Sequence, residues 1–354
     1  MYSYDGLRAI ELEISTYCNA ACPQCPRNIY GGETLPNLPL INWSLDQLRQ
    51  VLQPNFIQQL EFVYFCGTYG DPLMNSELVA MCEYIKSNNI NCKIGIHTNG
   101  GVGRTETYSQ LAKLCDFIAF GIDGLEDTNH LYRRNTDFNT IIHNAKTFID
   151  AGGNANWDFI VFRHNQHQVE SARQLSQQLG FKEFSVKRTH RFFNKKHELV
   201  DEVRVYGRKG NYEYTLAIPD KQYENMAYDV IRQTNLSEYV KTTKITCFWR
   251  SKNKVFVSAD GDVFPCGFLH DRMYGLEAEQ SYDHHIMKKV MSEVGGAAVT
   301  NVFVSPLKSI VEGEWFKWIQ NSWGVNHFDR CAIYCGEKIN MAGVQNLEIN
   351  YLND

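Results

Sequence analysis

The first 190 residues alternate between short apolar runs and longer amphipathic runs, and this alternation constrains the fold more than any other feature. Apolar runs rich in β-branched and aromatic residues predict strands, and the amphipathic runs between them predict helices. The predicted strands are Arg8–Ile14, Leu60–Phe65, Cys92–His97, Phe117–Ile122, Trp157–Phe162 and Glu183–Lys187. The predicted helices are Ser44–Leu52, Ser76–Ser87, Thr105–Leu114, Asn139–Ala151 and Gln168–Leu179. Such alternation predicts parallel βαβ units, so we expect residues 1–190 to form an α/β partial (β/α)6 TIM-like barrel.

The alternation is lost beyond residue 190. Residues 191–243 are basic and polar with interleaved aromatic side chains, and we interpret them as a bridge or a substrate-facing insertion. Residues 244–354 contain four further cysteines and are expected to form a small cysteine-rich α+β domain. Within it, an Asp/Gly turn between the runs KVFVS and VFPC predicts a β-hairpin.

Composition limits the class of protein. Of the 354 residues, 44% are hydrophobic and 21% are charged, as in soluble globular proteins, and the net charge of −5 excludes electrostatic binding of nucleic acid by the chain as a whole. No stretch approaches the roughly 18 apolar residues that span a bilayer, and the first residues do not resemble a signal peptide. We therefore expect a cytoplasmic protein without a membrane partner, in which the eleven cysteines stay reduced.

Three cysteines form a CxxxCxxC pattern directly after the first predicted strand. The segment ELEISTYCNAACPQCPRN contains Cys18, Cys22 and Cys25. Thiolates this close in sequence can face one metal centre, and soft thiolate ligands suit an iron–sulfur cluster or zinc. A structural zinc site usually takes a fourth protein ligand, and no residue nearby has clear spacing for that role. Three ligands to a four-iron cluster would leave one iron open.

In this pattern and its position the sequence resembles the radical S-adenosylmethionine (SAM) superfamily, over residues 8–190. The resemblance implies that Cys18, Cys22 and Cys25 bind a 4Fe–4S cluster whose open iron is chelated by SAM. It further implies reductive cleavage of SAM to a 5′-deoxyadenosyl radical, which abstracts hydrogen from a substrate carbon. An external electron donor of flavodoxin or ferredoxin type is implied as well. In such enzymes the cofactor supplies the radical chemistry, and the protein orients the reactants and excludes water.

Two turns after the next strands resemble SAM-binding motifs of the family. The segment FCGTYGDP places Tyr69, Gly70 and Asp71 in a Gly-Gly-Glu-Pro-like turn whose backbone binds the SAM amino group, with Tyr in place of the first Gly and Asp in place of Glu. The segment HTNGG places Thr98 and Asn99 in the family's Thr-Asn-Gly motif. The resemblance implies that these five residues lie at the SAM site.

Three further positions resemble SAM contacts on the fourth and fifth strands. The segment FGIDGLEDTNHLYRR resembles a Ser-(Ile/Leu)-Asp-Gly motif followed by an arginine, with Gly121 in place of Ser and Asp123 as the motif Asp. Arg133 or Arg134 matches the arginine that meets the SAM carboxylate, a pairing that suits a guanidinium, and we favour Arg133. Asn165 resembles a family residue near the SAM ribose or methionine, and is an equally good N-cap for the following helix.

Four cysteines in the last third form a second group. Cys247 and Cys266 frame Gly261 in a C-x13-G-x4-C pattern, and Cys331 and Cys335 form a CxxxC pair. This order resembles the auxiliary-cluster extensions of radical SAM enzymes, called SPASM or, in a shorter form, twitch. A full SPASM extension has seven cysteines, so four favour the twitch form and one auxiliary 4Fe–4S cluster. The alternative is a four-cysteine zinc site that only stabilises the domain.

The remaining cysteines and the later tryptophans are assigned to the hydrophobic core, because free cysteine packs as a small buried hydrophobe. These residues are Cys66, Cys82, Cys92, Cys115, Trp315, Trp318 and Trp323. The basic segment Lys187–Lys209, which includes aromatic side chains, is either a solvated face or a surface for an anionic or nucleic-acid substrate.

These features predict a radical SAM oxidoreductase or modifying enzyme. The favoured reaction is dehydrogenation or epimerisation of a small molecule, with the auxiliary cluster assisting electron transfer. Modification of a ribosomally made peptide, or of a nucleotide or nucleic acid, is an alternative. A zinc-stabilised binding module without enzymatic activity is the alternative outside enzymology.

Overall fold

The computed structural model describes residues 2–194, 198–271, 273–274, 282–324 and 327–341. The strands are β1 Ala9–Leu12, β2 Phe62–Phe65, β3 Lys93–Thr98, β4 Phe117–Gly121, β5 Ala155–Val161, β6 Glu183–Arg188, β7 Glu202–Tyr206, β8 Tyr212–Ala217, β9 Lys254–Val257 and β10 Val263–Phe264. All six strands predicted for the first 190 residues are present, with bounds that differ from the prediction by a few residues.

The helices of the first half follow the predicted ones closely, with two short additions, α2 and α5. These helices are α1 Leu45–Val51, α2 Pro54–Gln59, α3 Leu78–Asn88, α4 Thr105–Leu111, α5 Asn129–Tyr132, α6 Phe138–Asp150 and α7 Val169–Leu179. The second half contains α8 Ala227–Gln233, α9 Leu236–Thr242, α10 Phe248–Ser251, α11 Gly267–His270, α12 Tyr282–Glu293, α13 Ala297–Thr300, α14 Leu307–Val311, α15 Glu314–Ser322 and α16 Asp329–Cys335. Ser44 begins α1 with a reciprocal capping box to Gln47, as its position predicted.

One eight-stranded sheet forms the centre of the molecule, in the order β10-β9-β1-β2-β3-β4-β5-β6. Strands β1 to β6 pair in parallel with their sequence neighbours. This arrangement confirms the predicted α/β class and the partial TIM-like barrel. Because the carboxyl ends of parallel strands lie at one edge, the loops after β1 to β6 converge there.

The hairpin predicted in the last third is present, but it belongs to the barrel sheet. Val263 pairs with Val257 in the antiparallel β9–β10 ladder, while β9 pairs in parallel with β1 in the register Ala9 to Lys254. The Nζ of Lys254 lies 2.6 Å from Oε2 of Glu11, and both side chains are buried. Pairing between the first and ninth strands was not predicted from the sequence. The domain boundaries after residues 190 and 243 remain predictions.

The predicted bridge contains the antiparallel hairpin β7–β8. This hairpin contacts the loop that holds the first cysteines, since the backbone N–H of Tyr206 donates to the carbonyl of Tyr30 at 3.0 Å. Residues 195–197, part of the basic segment, lie outside the described residues. Among the helices that the structure describes, none combines the length and apolarity that a bilayer crossing requires.

Candidate active site

A cavity of about 310 Å³ lies at the carboxyl ends of the parallel strands, where active sites of α/β barrels occur. Cys18, Cys22 and Cys25 all line it. The cavity is also lined by residues of the loops after β2 and β3, by the end of β6, and by α10 and α11. The CxxxCxxC pattern and the predicted SAM-binding turns are therefore brought to one enclosed space.

The thiols of Cys18 and Cys22 lie in a desolvated environment. Burial raises the pKa of the Cys18 thiol, and the charges of Asp71, Cys22 and Cys25 raise it further. Burial also raises the pKa of Cys22, while the guanidinium of Arg133 opposes that rise. Thiols that influence one another in this way lie close together, and they would become thiolates only with a compensating positive centre. This donor set is the one that an iron–sulfur cluster uses.

Gly70 packs directly on the backbone that leads into the cysteine loop. A Cβ at this position would lie 1.8 Å from the carbonyl oxygen of Ser15, so only glycine allows the approach. The neighbouring N–H of Tyr69 donates to Oε1 of Glu13 at 2.5 Å, and the N–H of Asp71 donates to the carbonyl of Tyr17 at 2.8 Å. The turn is thus fixed against the segment before Cys18. The Tyr69 hydroxyl donates to the carbonyl of His270 at 3.1 Å.

The carboxylate of Asp71 connects the turn to the end of β3. It accepts from the hydroxyl of Thr98 at 2.9 Å, from the backbone N–H of Asn99 at 2.8 Å and from Nδ2 of Asn99 at 2.7 Å. Asn99 Nδ2 also lies 3.7 Å from Sγ of Cys18. All three residues line the cavity, but the Asp71 carboxylate is occupied in joining the two loops.

Arg133 lies between Asp123 and Cys22. Its Nε donates to Oδ2 of Asp123 at 2.6 Å, and its Nη1 lies 3.9 Å from Sγ of Cys22. A Cβ at Gly121 would lie 2.2 Å from Nη2 of Arg133. The glycine that replaces the family's Ser therefore makes room for the guanidinium.

Arg134 and Asn165 are not brought to the cavity. Arg134 forms a salt bridge to Glu213 of β8 at 2.6 Å, which distinguishes it from Arg133. The amide of Asn165 is fully buried, and its Nδ2 donates to the carbonyls of Asp123 and Ile160 at 2.9 Å each. Asn165 thus joins the ends of β4 and β5, and it forms no side-chain cap on the following helical turn. Its proximity to SAM remains a prediction.

Sequence reasoning did not identify a polar group inside the barrel. Oδ1 of Asp158 lies 3.4 Å from Nζ of Lys187, and its Oδ2 lies 3.7 Å from Nε2 of His97. Burial raises the pKa of Asp158 to about 6, although Lys187 opposes the shift, and burial lowers the pKa of His97 to about 3. His97 and Lys187 line the cavity. The presence of charged residues within otherwise apolar strands is the sequence signal that could have identified this group.

Cys66 packs against a buried apolar cluster, as its assignment to the core predicted, but it is only partly buried. Cys66 lines the cavity, and its thiol donates to Oε1 of Glu11 at 2.7 Å. The strand-like alternation of Phe62, Tyr64 and Cys66 places them on one face, but it does not specify that this face meets the cavity. The assignment holds for the other cysteines of the barrel, which are buried: Cys82, Cys92 and Cys115.

The second group of cysteines lines a separate, smaller cavity. Its volume is about 10 Å³, and the lining includes Cys247, Cys266, Cys331 and Cys335. A cavity of this size holds about one water molecule, so the four thiol side chains would have to move apart to admit a cluster. The pKa of the Cys247 thiol is lowered, first by hydrogen bonding to Cys335, while burial opposes the shift and backbone N–H groups of Arg250 and Trp249 assist it.

Two buried indole groups also line this smaller cavity. Trp249 and Trp323 are 5% and 8% exposed, and neither indole Nε1 has a hydrogen-bond partner within the described residues. The Nε1 of Trp323 lies near the Cys331 thiol without completing a hydrogen bond. Trp315 is core, as predicted, because its Nε1 donates to the carbonyl of Val263 at 2.8 Å. The position of Trp323 beside the cysteines was not predicted from the sequence.

The two cavities share a wall. Trp249 and Phe268 line both of them, with ring centroids 5.2 Å apart in an edge-on arrangement. Within the ranges that the structure describes, no group of three or more His, Cys, Asp or Glu side chains is arranged to hold a metal ion. The case for metal at either cavity therefore depends on the cysteine spacing and the common lining.

Comparison with solved structures shows the fold. The chain resembles native anSMEcpe with bound AdoMet and Kp18Cys peptide at a TM-score of 0.52 and 14% identity, covering 93% of this chain and 88% of that one. It resembles Streptococcus suis SuiB bound to precursor peptide SuiA at a TM-score of 0.50 and 16% identity, covering 73% of this chain and 59% of that one. The chain thus spans about three fifths of the length of SuiB.

The barrel part of the sequence matches a protein-family model. No curated protein matches the sequence. Residues 12–175 match the model of the Radical SAM superfamily. This range begins in β1, includes the CxxxCxxC loop and the turns after β2, β3 and β4, and ends within α7. A domain of this family implies a 4Fe–4S cluster and SAM as cofactors. Residues 12–175 therefore form a radical SAM domain.

Proposed function

We propose that this protein is a radical SAM enzyme in which Cys18, Cys22 and Cys25 bind the 4Fe–4S cluster. The observation that carries the proposal is the common cavity, which the three thiols share with Tyr69 and Arg133. Bound there, the cluster and SAM supply a radical that removes hydrogen from a substrate carbon. The protein's own contribution is to orient both reactants and to exclude water from them.

Arg133 is the residue that we assign to the SAM carboxylate. Its Nε is held by Asp123, its Nη1 faces Cys22, and its side chain is 12% exposed. A guanidinium fixed on one side retains donors for a bidentate contact on the other. Asn99, with its Nδ2 near Cys18, is the neighbouring polar contact.

The substrate that we favour is a small molecule. Ligand pockets commonly measure 300–1,000 Å³, and a cavity of about 310 Å³ must hold SAM together with the reacting part of the substrate. The same cavity is lined by the apolar rings of Phe248, Trp249 and Phe268, which exclude water. Dehydrogenation or epimerisation at one carbon suits a space of this size.

A peptide substrate is the second candidate. Support comes from the two solved structures named above, in which a protein of this fold binds a peptide. A single side chain of a peptide would fit the same cavity. The nucleic-acid alternative is less well supported, because Lys187 is paired with Asp158 and Arg191 donates to the carbonyl of Gln24 at 2.8 Å.

We further propose that Cys247, Cys266, Cys331 and Cys335 bind an auxiliary 4Fe–4S cluster that exchanges electrons with the reaction cavity. Their convergence on one cavity that shares a wall with the first supports this role. Four protein thiolates would complete the coordination of such a cluster. An external flavodoxin or ferredoxin would supply electrons to the protein. A structural zinc ion is the competing occupant.

Iron and sulfide analysis after anaerobic reconstitution tests both proposals. Wild type should contain about eight irons, and a Cys18/Cys22/Cys25→Ala triple variant about four, as expected for two clusters with cysteine ligands. The triple variant should produce no 5′-deoxyadenosine from SAM. Cys82→Ala, a change at a buried cysteine outside both cavities, is the matched control and should retain both iron and SAM cleavage.

The outcomes separate the two proposals. Retained SAM cleavage in the triple variant would refute the assignment of the radical SAM cluster. About four irons in wild type and none in the triple variant, with one zinc present, would refute the auxiliary cluster alone. To choose between substrate classes, the products formed from metabolite and peptide pools can be screened for stoichiometric 5′-deoxyadenosine release.

A further inference from the structure

Trp249 lies in the wall between the two cavities and carries a buried N–H without an acceptor. The residue follows Cys247 by two positions, at the start of α10. Its ring packs edge-on against Phe268, and its Nε1 has no hydrogen-bond partner within the described residues. Leaving such a donor unpaired in a buried site is unfavourable, so native structures usually provide a partner.

Trp323, which directly follows α15, likewise has an indole N–H without a hydrogen-bond partner within the described residues. Its Nε1 is buried beside Cys331 and has no completed hydrogen bond. Nε of Arg330 is a third unpartnered donor on the same cavity, although its Nη2 forms a salt bridge to Asp271 at 3.0 Å. The three residues that carry these N–H groups thus line the same cavity as the four cysteines.

Negatively charged sulfur is the acceptor that would satisfy these donors. Thiolate and cluster sulfur atoms accept N–H hydrogen bonds, and such bonds are one of the factors that set the reduction potential of an iron–sulfur cluster. The reduced state is more negative and benefits more from each donor. Removing a donor should therefore lower the reduction potential.

We infer that the indole N–H groups of Trp249 and Trp323 donate hydrogen bonds to sulfur atoms of the auxiliary cluster and raise its reduction potential. The inference rests on the proposed auxiliary cluster at Cys247, Cys266 and the C-terminal CxxxC pair. Trp249 lines both cavities, so a cluster in the smaller one and a substrate in the larger one would share this side chain as part of their common wall. Both tryptophans are positioning residues in this role.

Redox titration followed by electron paramagnetic resonance tests the inference. Trp249→Phe and Trp323→Phe are introduced into the Cys18/Cys22/Cys25→Ala triple variant, in which the auxiliary cluster is the only expected source of the signal. Phenylalanine preserves most of the aromatic packing and removes the N–H. Each substitution should shift the midpoint potential to a lower value, and the double substitution should shift it further, with iron content unchanged.

Trp318→Phe is the matched control. Trp318 lies in α15, packs against Phe328 at 5.4 Å between centroids, and does not line the cysteine cavity. The same chemical change there should leave the potential at its starting value. A shift of equal size in Trp318→Phe would attribute the effect to general packing and overturn the inference.

Iron analysis distinguishes failure of the inference from failure of the proposed function. Zinc in place of iron in the triple variant would refute the proposed auxiliary cluster and the inference with it, and would leave the radical SAM assignment of Cys18, Cys22 and Cys25 standing. Retained iron with unshifted potentials in Trp249→Phe and Trp323→Phe overturns the inference alone. If either substitution releases iron, the inference is tested instead on the triple variant with both tryptophans intact and its indole nitrogens labelled with ¹⁵N. Hyperfine coupling between the cluster and indole nitrogen supports the inference, and its absence overturns it.

Discussion

The guanidinium of Arg133 fills the space that a side chain at Gly121 would need, with Nη2 only 2.2 Å from the position of a Cβ. The resemblance to the radical SAM family placed a serine at 121, and the structure explains why this chain has glycine instead. The two positions are therefore coupled. A residue larger than glycine at 121 must displace the arginine that we assign to SAM.

We expect Gly121→Ser to weaken SAM binding by about tenfold or more. Displacing Arg133 removes hydrogen bonds between charged groups, each of which contributes about 1.5–3 kcal/mol, and 1.4 kcal/mol corresponds to a factor of ten. Anaerobic equilibrium dialysis with labelled SAM measures the effect. Gly324→Ser, where an added Cβ meets nothing within 4 Å, should bind SAM as wild type does. Undiminished affinity in Gly121→Ser would contradict the assignment of Arg133.

Gly70→Ala should impair retention of the iron–sulfur cluster. Its Cβ would lie 1.8 Å from the Ser15 carbonyl oxygen, so the turn must move away from the segment that leads to Cys18. Iron content after gel filtration is the measurement, and we expect a clear loss relative to wild type. Gly324→Ala controls for the change of residue type. Full iron content in Gly70→Ala would show that the turn can shift without disturbing the cysteine loop.

Lys187→Met should destabilise the fold by about 3–5 kcal/mol, because removing one partner leaves the charge of Asp158 buried and unpaired. Asp158 is 2% exposed, and neither oxygen accepts a hydrogen bond within the described residues. The double variant Lys187→Met/Asp158→Asn should recover part of the loss. Urea unfolding of these two variants and of the single variant Asp158→Asn measures the coupling. The exposed pair Lys146–Asp150 is the control, and Lys146→Met should cost less than about 1 kcal/mol.

Stability should depend on pH through Glu13. Burial raises the pKa of Glu13 to about 8, although backbone N–H groups of Tyr69, Gly70 and Ala259 lower it in part. The folded state then keeps a proton that the unfolded state releases near pH 4.5. Since the folded state binds more protons between these values, the free energy of unfolding falls as pH rises from about 4.5 towards 8.

Urea unfolding between pH 6 and pH 8.5 measures this dependence. Glu13→Gln should lose most of the decline across that range, because glutamine does not titrate. Glu61→Gln alters an exposed carboxylate and should follow wild type. Parallel pH curves for Glu13→Gln and wild type would mean that Glu13 is ionised in the folded protein throughout the range.

Periodicity predicted the barrel well because each strand and helix carries its own local signal. The predicted helix Gln168–Leu179 and the observed Val169–Leu179 agree to one residue, since Gly180 adopts the left-handed conformation that ends the helix. The cysteines of both groups were also found by spacing, and each group converges on one cavity. Local chemistry and local pattern were sufficient for these features.

Long-range relationships had no such signal. The pairing of β9 with β1 joins residues about 245 positions apart, and nothing near either strand specifies its partner. The side-chain amide of Asn165 donates hydrogen bonds to two backbone carbonyls, and these contacts likewise depend on the tertiary structure. For Cys66, the alternation with Tyr64 predicted a shared strand face but not which face meets the cavity. Its polar partner Glu11, on a neighbouring strand, could not be read from sequence.

The position of β9 beside β1 has a consequence for the order of folding. Strand β1 is synthesised first, but its outer edge stays unpaired until Lys254–Val257 have been made. A parallel pairing over such a separation forms slowly, and an open apolar edge is a site for association between chains. The loop with Cys18, Cys22 and Cys25 follows that edge directly. The cavity that these thiols share with Phe248, Trp249 and Phe268 is therefore completed only after the second half of the chain has been synthesised.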